Sequence, residues 1–258
     1  MATPKTVLIT GSTSGIGLSI ARKFAQQGCN VVFNGLEADG AQIAQQVADE
    51  YGIQHRFYGV NIMDTGKLQD MLQGAHDAFG TIDILVNNAG VQFVCPVEDF
   101  PDEKWDLILG VNLTAAFHTT KAVWKGMKEN KWGRIINIAS AHGLVASEFK
   151  SAYIAAKHGL VGFTKCTALE GAPYGITVNA ICPGYVHTPI VEAQIGDQMK
   201  AHQMDRDEVI KKVLLGKQAI KEFIPVEAIS DMVVYMASDA AQQMTGTAVP
   251  IDGGWTAQ

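Results

Sequence analysis

The chain has 258 residues, enough for one large domain with a full core. Its 47% hydrophobic and 18% charged residues describe a folded globular protein and exclude a disordered one. A net charge of −6 without any basic block argues against nucleic-acid binding as the main task.

The N-terminus runs almost directly into an apolar stretch with no signal peptide ahead of it, so a cytoplasmic protein is expected. No apolar run approaches the ~20 residues needed to cross a membrane. Cys29, Cys95, Cys166 and Cys182 have no C-x-x-C spacing and are expected as buried free thiols in a reducing compartment. His55, His76, His118, His158 and His202 show no metal-ligand spacing, and no metal is expected.

In chain order, residues 6–10 (TVLIT) read as a strand, followed at once by GSTSGIG. Leu18, Ile20, Ala21, Phe24 and Ala25 then recur at helical spacing, with Gly28 as a stop. NVVFNG is the next strand. Strand, glycine turn, helix and strand make the opening of a nucleotide-binding βαβ unit. Gly11, Gly15 and Gly17 allow a tight turn and close approach of a pyrophosphate. The helix N-terminus then presents free N–H groups and partial positive charge to it. Arg22, one turn into this helix, reads as a surface residue or as a further phosphate contact.

The alternation continues: a helix at about 38–51, a strand at 54–60, a helix at about 65–79 and a strand at 83–90 (DILVNNAG). One long helix is expected from Asp102 to about Met127. GRIINIAS at 133–140 is the fifth strand and ITVNAIC at 176–182 the sixth; TAVPI near the C-terminus is the last. Strands and helices alternating this regularly predict an α/β protein, a seven-stranded parallel sheet of Rossmann type with helices on both faces. We expect one dinucleotide-binding catalytic domain over 1–258.

Between strands five and six lies a helix bearing Tyr153 and Lys157. Four residues apart, the two share one face. Alone such a pair is usually an ordinary helix surface and only in a minority of cases an acid–base unit. A cation beside the phenol would favour phenolate and lower its pKa. Residues 188–224 break the rhythm with helical patterns near 189–203 and 206–216, punctuated by Gly196 and Gly216. Asp205, three residues before Glu208, looks like a helix cap. At the C-terminal edge of such a sheet this excursion is placed to cover a ligand crevice as a lid.

These motifs together resemble the short-chain dehydrogenase/reductase family over essentially the whole chain. They are TGSTSGIG at 10–17, NNAG at 87–90, Asn112, Ser140, Tyr153-x-x-x-Lys157, PGYVHTP at 183–189 and the terminal DGG. The resemblance implies a doubly wound sheet in the order 3-2-1-4-5-6-7, a nicotinamide cofactor and a homotetramer. It implies Tyr153 as general base or acid, Ser140 holding the substrate oxygen, and Lys157 lowering the Tyr153 pKa while bonding the nicotinamide ribose. Asn112 would position a water in a proton relay. Cofactor contacts would come from Gly11, Thr13, Ser14, Gly15, Ile16 and Gly17, then from Phe33, Leu36, Asn61 and Ile62. Asn88, Ala89, Gly90, Pro183, Gly184, Val186 and Thr188 complete the set with Tyr153 and Lys157.

NADP sites need cations for the 2′-phosphate. Ser14 and the stretch Phe33-Asn34-Gly35-Leu36 hold no Lys or Arg where the family carries them, which favours NAD. The second strand ends without the usual ribose-binding Asp, and Asn61 stands where the family has an Asp.

Within the family, GVQ at 90–92, EDFPDEKWD at 98–106, IINIASAHGLVAS at 135–147, KSAYIAAKHG at 150–159 and DGGWTAQ at 252–258 are similar to the branch that interconverts D-3-hydroxybutyrate and acetoacetate. This implies a substrate site of Gln92, Ser140, His142, Lys150, Tyr153, Gln194 and Trp255. A short hydroxy acid offers one carboxylate and little apolar surface, so its grip must come from several donors. Tyr185 and His187 stand where that branch has Trp and Arg. Two other readings stay open. One is a 3-oxoacyl thioester or other short-chain carbonyl reductase. The other is a non-catalytic nucleotide-binding sensor, although such proteins typically lack the Tyr or Lys present here.

Overall fold

The computed structural model of the chain describes residues 4–257; for Ile190, Gln194 and Ala201 it describes the backbone alone. Seven parallel strands form one sheet in the order β3-β2-β1-β4-β5-β6-β7. They are β1 (Thr6–Ile9), β2 (Asn30–Asn34), β3 (His55–Tyr58), β4 (Ile84–Asn87), β5 (Gly133–Ile138), β6 (Ile176–Pro183) and β7 (Ala248–Ile251).

The near-continuous apolar character of the strands has a direct structural reason. Alternate residues point to opposite faces, and both faces are covered. Val7, Ile9, Val31, Phe33, Val86, Ile136 and Ile138 pack with helices α1 (Gly15–Gln26), α2 (Gly40–Tyr51) and α9 (Val226–Ala237). Leu8, Val32, Leu85, Ile135 and Val178 pack on the other side with α3 (Thr65–Phe79), α5 (Ala115–Asn130) and α6 (Ser151–Gly171).

The strand order reverses beside β1, which pairs with both β2 and β4. A crevice opens at such a switch point, outside the carboxyl ends of the strands. A buried polar network fixes this end of the sheet. Asn87 and Asn137 are register partners on β4 and β5. Asn87 Nδ2 donates to Asn137 Oδ1 at 2.8 Å, and Asn137 Nδ2 donates to Thr164 Oγ1 of α6 at 2.8 Å. Thr119 Oγ1 of α5 donates to Asn87 Oδ1 at 2.6 Å. Two strands and two helices are thus tied together directly beneath the crevice.

The long helix expected from Asp102 is interrupted. α4 (Asp102–Leu109) passes into α5 through a π-turn, Gly110–Thr114, which contains Asn112. Asn112 Nδ2 donates to the carbonyls of Val91 (2.8 Å) and Ile108 (3.0 Å), and Oδ1 accepts from Val91 N at 3.2 Å. The widened turn lets one side chain hold the neighbouring loop, a placement that apolar periodicity does not reveal.

The excursion after β6 contains α7 (Pro189–His202) and α8 (Arg206–Glu208), the latter continued by a π-turn at Val209–Leu214. Asp205 caps α8 by accepting from Glu208 N at 2.9 Å. Gly196, expected as a break, lies inside α7 with open space around it. The excursion has its own apolar cluster, including Val191, Ile195, Val209, Leu214, Tyr185 and Trp255. A bridge between Val186 and Ile224 closes its base. Of the cysteines, Cys29 and Cys182 are buried, but Cys95 is half-buried and Cys166 exposed, so the expectation of buried thiols holds for two only. No described helix is long and apolar enough to cross a membrane.

Asn137→Ala removes the central member of the network and leaves Asn87 Nδ2 short of its best acceptor. We expect a loss of about 1–3 kcal/mol in urea unfolding; an unchanged midpoint would show that the network contributes nothing.

Candidate active site

A cleft of about 760 Å³ runs along the carboxyl ends of the strands and gathers most of the candidate residues. Its floor at the nucleotide end is the glycine turn. Gly11 has φ +62, and a Cβ there would approach Ala89 Cα to 3.1 Å. A Cβ on Gly17 would run into the Gly11 carbonyl and the Asn88 amide, so this glycine serves close packing of helix against loop. Ser14, the N-cap of α1, makes no side-chain cap bond, and no acidic residue sits in the first turn. The helix N-terminus therefore keeps N–H groups for an anion at the cleft. Gly11, Ser14, Gly15, Ile16, Leu36, Asn61, Ile62, Asn88, Ala89, Gly90, Pro183, Gly184, Val186 and Thr188 all line it, so the residues fit a dinucleotide.

Asn112 lines a separate small cavity, and four further candidates lie elsewhere. Phe33 is fully buried in the core, because inward alternation on β2 turns its ring under the sheet, edge-on to His55. Gly17 and Thr13 sit behind the cleft wall; Thr13 hydrogen-bonds Glu37. Arg22 is paired with Glu50 at the surface and is not a phosphate ligand here.

Glu37 was missed from the sequence. It lies just past the Phe33–Leu36 stretch and lines the cleft where β2 ends. Its carboxylate accepts from Thr13 Oγ1, from Ser14 Oγ at 3.0 Å and from Leu36 N at 3.1 Å. Burial works against its charge, but these hydrogen bonds outweigh it and hold the carboxyl below its ordinary value.

At the centre of the cleft, Tyr153 and Lys157 lie on one face of α6, with Lys157 Nζ 5.6 Å from the Tyr153 ring centroid. Lys157 Nζ donates to the Ile138 carbonyl at 2.7 Å. A Cβ on Gly90 would lie 2.8 Å from Asn112 Oδ1 and 3.8 Å from Lys157 Nζ, so Asn112 and Lys157 converge on the same glycine. Ser140 follows β5, accepts from His142 N at 3.1 Å and hydrogen-bonds the Tyr153 phenol. Burial pushes Tyr153 up to about 12, with Ser140 opposing, and pushes Lys157 down to about 8. Desolvation thus dominates at Tyr153, and the lowering expected from Lys157 is not seen. A phenol in this state is a proton donor; it becomes a base when more positive charge arrives beside it.

The far end holds Gln92, His142, Lys150 and Trp255. Lys150 is 3% exposed and donates to Tyr185 Oη at 3.0 Å. Burial, aided by Lys217, lowers it to about 8. His142 lies well below its ordinary value, first through burial and then through Lys150, so it is neutral. Its Nε2 is 3.0 Å from Ser147 Oγ and its ring meets Trp255 edge-on. Gln92 Nε2 is buried without a hydrogen-bond partner. Gln194 is on α7, but its side chain lies outside the described residues. His187 pairs with Glu192 on the exposed surface. The arrangement offers a proton donor, a hydroxyl beside it and a buried cation a short way along.

Residues 5–199 match the family model described as short chain dehydrogenase. A D-beta-hydroxybutyrate dehydrogenase of Rhizobium meliloti is 52% identical, covering 98% of this chain and 99% of its own. Another, from Cupriavidus necator, is 48% identical over the whole of both chains. Among solved structures, a single-substitution variant of actinorhodin polyketide ketoreductase with NADPH superposes with a TM-score of 0.93 at 33% identity, covering 99% of each chain.

Proposed function

The chain belongs to the short-chain dehydrogenase family, and on that premise we propose that it interconverts D-3-hydroxybutyrate and acetoacetate with NAD as cofactor. Lys150 carries the reading: a buried ammonium in the same cleft as the Ser140–Tyr153 pair and the unpartnered Gln92 amide suits a small substrate with one carboxylate. The nicotinamide ring, when bound, exchanges hydride with the substrate carbon and in its oxidised form brings positive charge.

The chain's own residues do the rest. Lys150 and Gln92 bind the carboxylate. Ser140 fixes the substrate oxygen against the Tyr153 phenol. In ketone reduction Tyr153 gives up its proton to that oxygen, and in alcohol oxidation it takes the proton back. Lys157, held by Ile138, stabilises the phenolate, and Asn112, which holds the Val91 loop, would position a water that relays the proton by way of Lys157. The glycine turn and the α1 N-terminus would hold the pyrophosphate.

Glu37 supports NAD over NADP, since an ionised carboxylate at the rim repels a second ribose phosphate. It also counts against the 3-oxoacyl thioester alternative, which favours NADPH. Exposed Trp105, Phe117 and Leu169 on α4, α5 and α6 support assembly as a homotetramer, and unpaired cysteines suit the cytoplasm.

Four outcomes test this reading. Tyr153→Phe should lower kcat by about 10²–10⁴-fold while NADH binding, followed by fluorescence titration, stays near the parent value; retained turnover removes Tyr153 from its role. Lys150→Ala should raise KM for hydroxybutyrate about ten- to hundredfold, the equivalent of the ~1.5–3 kcal/mol of a charge-assisted hydrogen bond, and leave KM for NAD nearly constant. Lys150 has a lowered pKa of about 8, so it is charged below that pH and neutral above it. Inhibition by butyrate, the substrate without its hydroxyl, should accordingly weaken as pH rises through about 8. Glu37→Gln should improve kcat/KM with NADP by about tenfold relative to NAD; an unchanged ratio would mean that Glu37 does not select the cofactor.

A further inference from the structure

We propose that Tyr185 is a positioning residue for the substrate carboxylate: its phenol oxygen holds the Lys150 ammonium at the far end of the cleft. The proposal rests on the reading of Lys150 as the carboxylate ligand.

Tyr185 is 7% exposed and fixed on several sides. Its backbone N–H donates to Gln218 Oε1 at 2.9 Å, and its carbonyl accepts from Ile224 N at 2.9 Å. Gln218 is itself fully buried and spends its amide on the carbonyls of Ile220 and Glu222. The Tyr185 ring stacks on Trp255, centroids 5.5 Å apart and planes 6° apart. With backbone and ring both held, the hydroxyl is a fixed acceptor, and Lys150 Nζ reaches it at 3.0 Å.

Lys150 needs such a partner. It forms no salt bridge among the described residues. The titratable groups around it are His142, Lys217, Tyr153 and Tyr185. None is an anion at neutral pH: His142 is neutral, and burial keeps both phenols protonated. A neutral oxygen stabilises the ammonium without cancelling its charge. It takes one of the three N–H donors and leaves two for a carboxylate. An indole at this position would offer an N–H donor only and could not accept from Lys150.

The test compares Tyr185→Phe, Tyr185→Trp, Lys150→Ala and the double variant Lys150→Ala/Tyr185→Phe, each checked for an unchanged thermal midpoint. Phe keeps the stack without the oxygen; Trp keeps a stack and a polar atom of the wrong sense. Both single Tyr185 variants should raise KM for hydroxybutyrate about threefold to tenfold, with KM for NAD constant. The pH above which butyrate inhibition weakens should fall, because the ammonium has lost its acceptor. The double variant should be no worse than Lys150→Ala. Additive effects in the double variant, or a Trp variant that behaves like the parent, would overturn the role of the phenol oxygen while leaving Lys150 in place. An unchanged KM in Lys150→Ala would instead overturn the carboxylate reading itself and this proposal with it.

Discussion

Two lysine heads are buried in one cleft, and each is held by a neutral oxygen: Lys157 by the Ile138 carbonyl and Lys150 by the Tyr185 phenol. Removing an ammonium from water is costly, and a carboxylate partner would offset the cost by cancelling the charge. This protein leaves the charge in place, and both lysines fall to about 8 through burial. The part of the cleft around Lys150 and Lys157 is therefore positive. Under the proposed function, a small carboxylate at one end, or developing negative charge on the Tyr153 oxygen at the centre, would be stabilised by this charge. Preorganised charge of this kind is effective because it need not be assembled during the reaction.

Such a site works only if its scaffold cannot relax around it. The Asn87–Asn137–Thr164 network ties α6 to the sheet beyond the turns that carry Tyr153 and Lys157. Asn112 ties the Val91 loop to the π-turn between α4 and α5. Both are polar devices inside an apolar interior, satisfied at nearly every donor and acceptor. They fix one arrangement of helix, loop and strand where apolar packing alone would tolerate small slides.

The sheet was legible because parallel strands buried on both faces write themselves as apolar runs, and the glycine turn because only glycine accepts its geometry. Tyr153, Lys157 and Ser140 were legible as a spaced set. The π-turn at Asn112 was not, since a helix widened by one residue keeps the same composition. Phe33 was misplaced for a related reason: a strand-end residue was read by its position along the chain, and alternation sent its ring to the core. Glu37 lies only one residue past the stretch that was read, and it became visible only when the loop folded its carboxylate back onto Thr13 and Ser14. The partnership of Lys150 with Tyr185 spans 35 residues and two elements, which no local pattern encodes.

The two ends of the cleft carry opposite signs, and this orders the ligands. Glu37 follows β2, whereas Lys150 lies beyond β5, with β1 and β4 between them. At the usual strand spacing the strands that precede them are about 14 Å apart. Under the proposed function, a dinucleotide whose ribose carries a bare hydroxyl would meet Glu37 without penalty, while an extra phosphate there would be repelled. A small carboxylate would be repelled at the same end and drawn to Lys150 at the other. Under the same reading, a charge distribution set by Glu37 and Lys150 would direct the cofactor's ribose and the substrate's carboxylate to opposite ends, with Tyr153 between them.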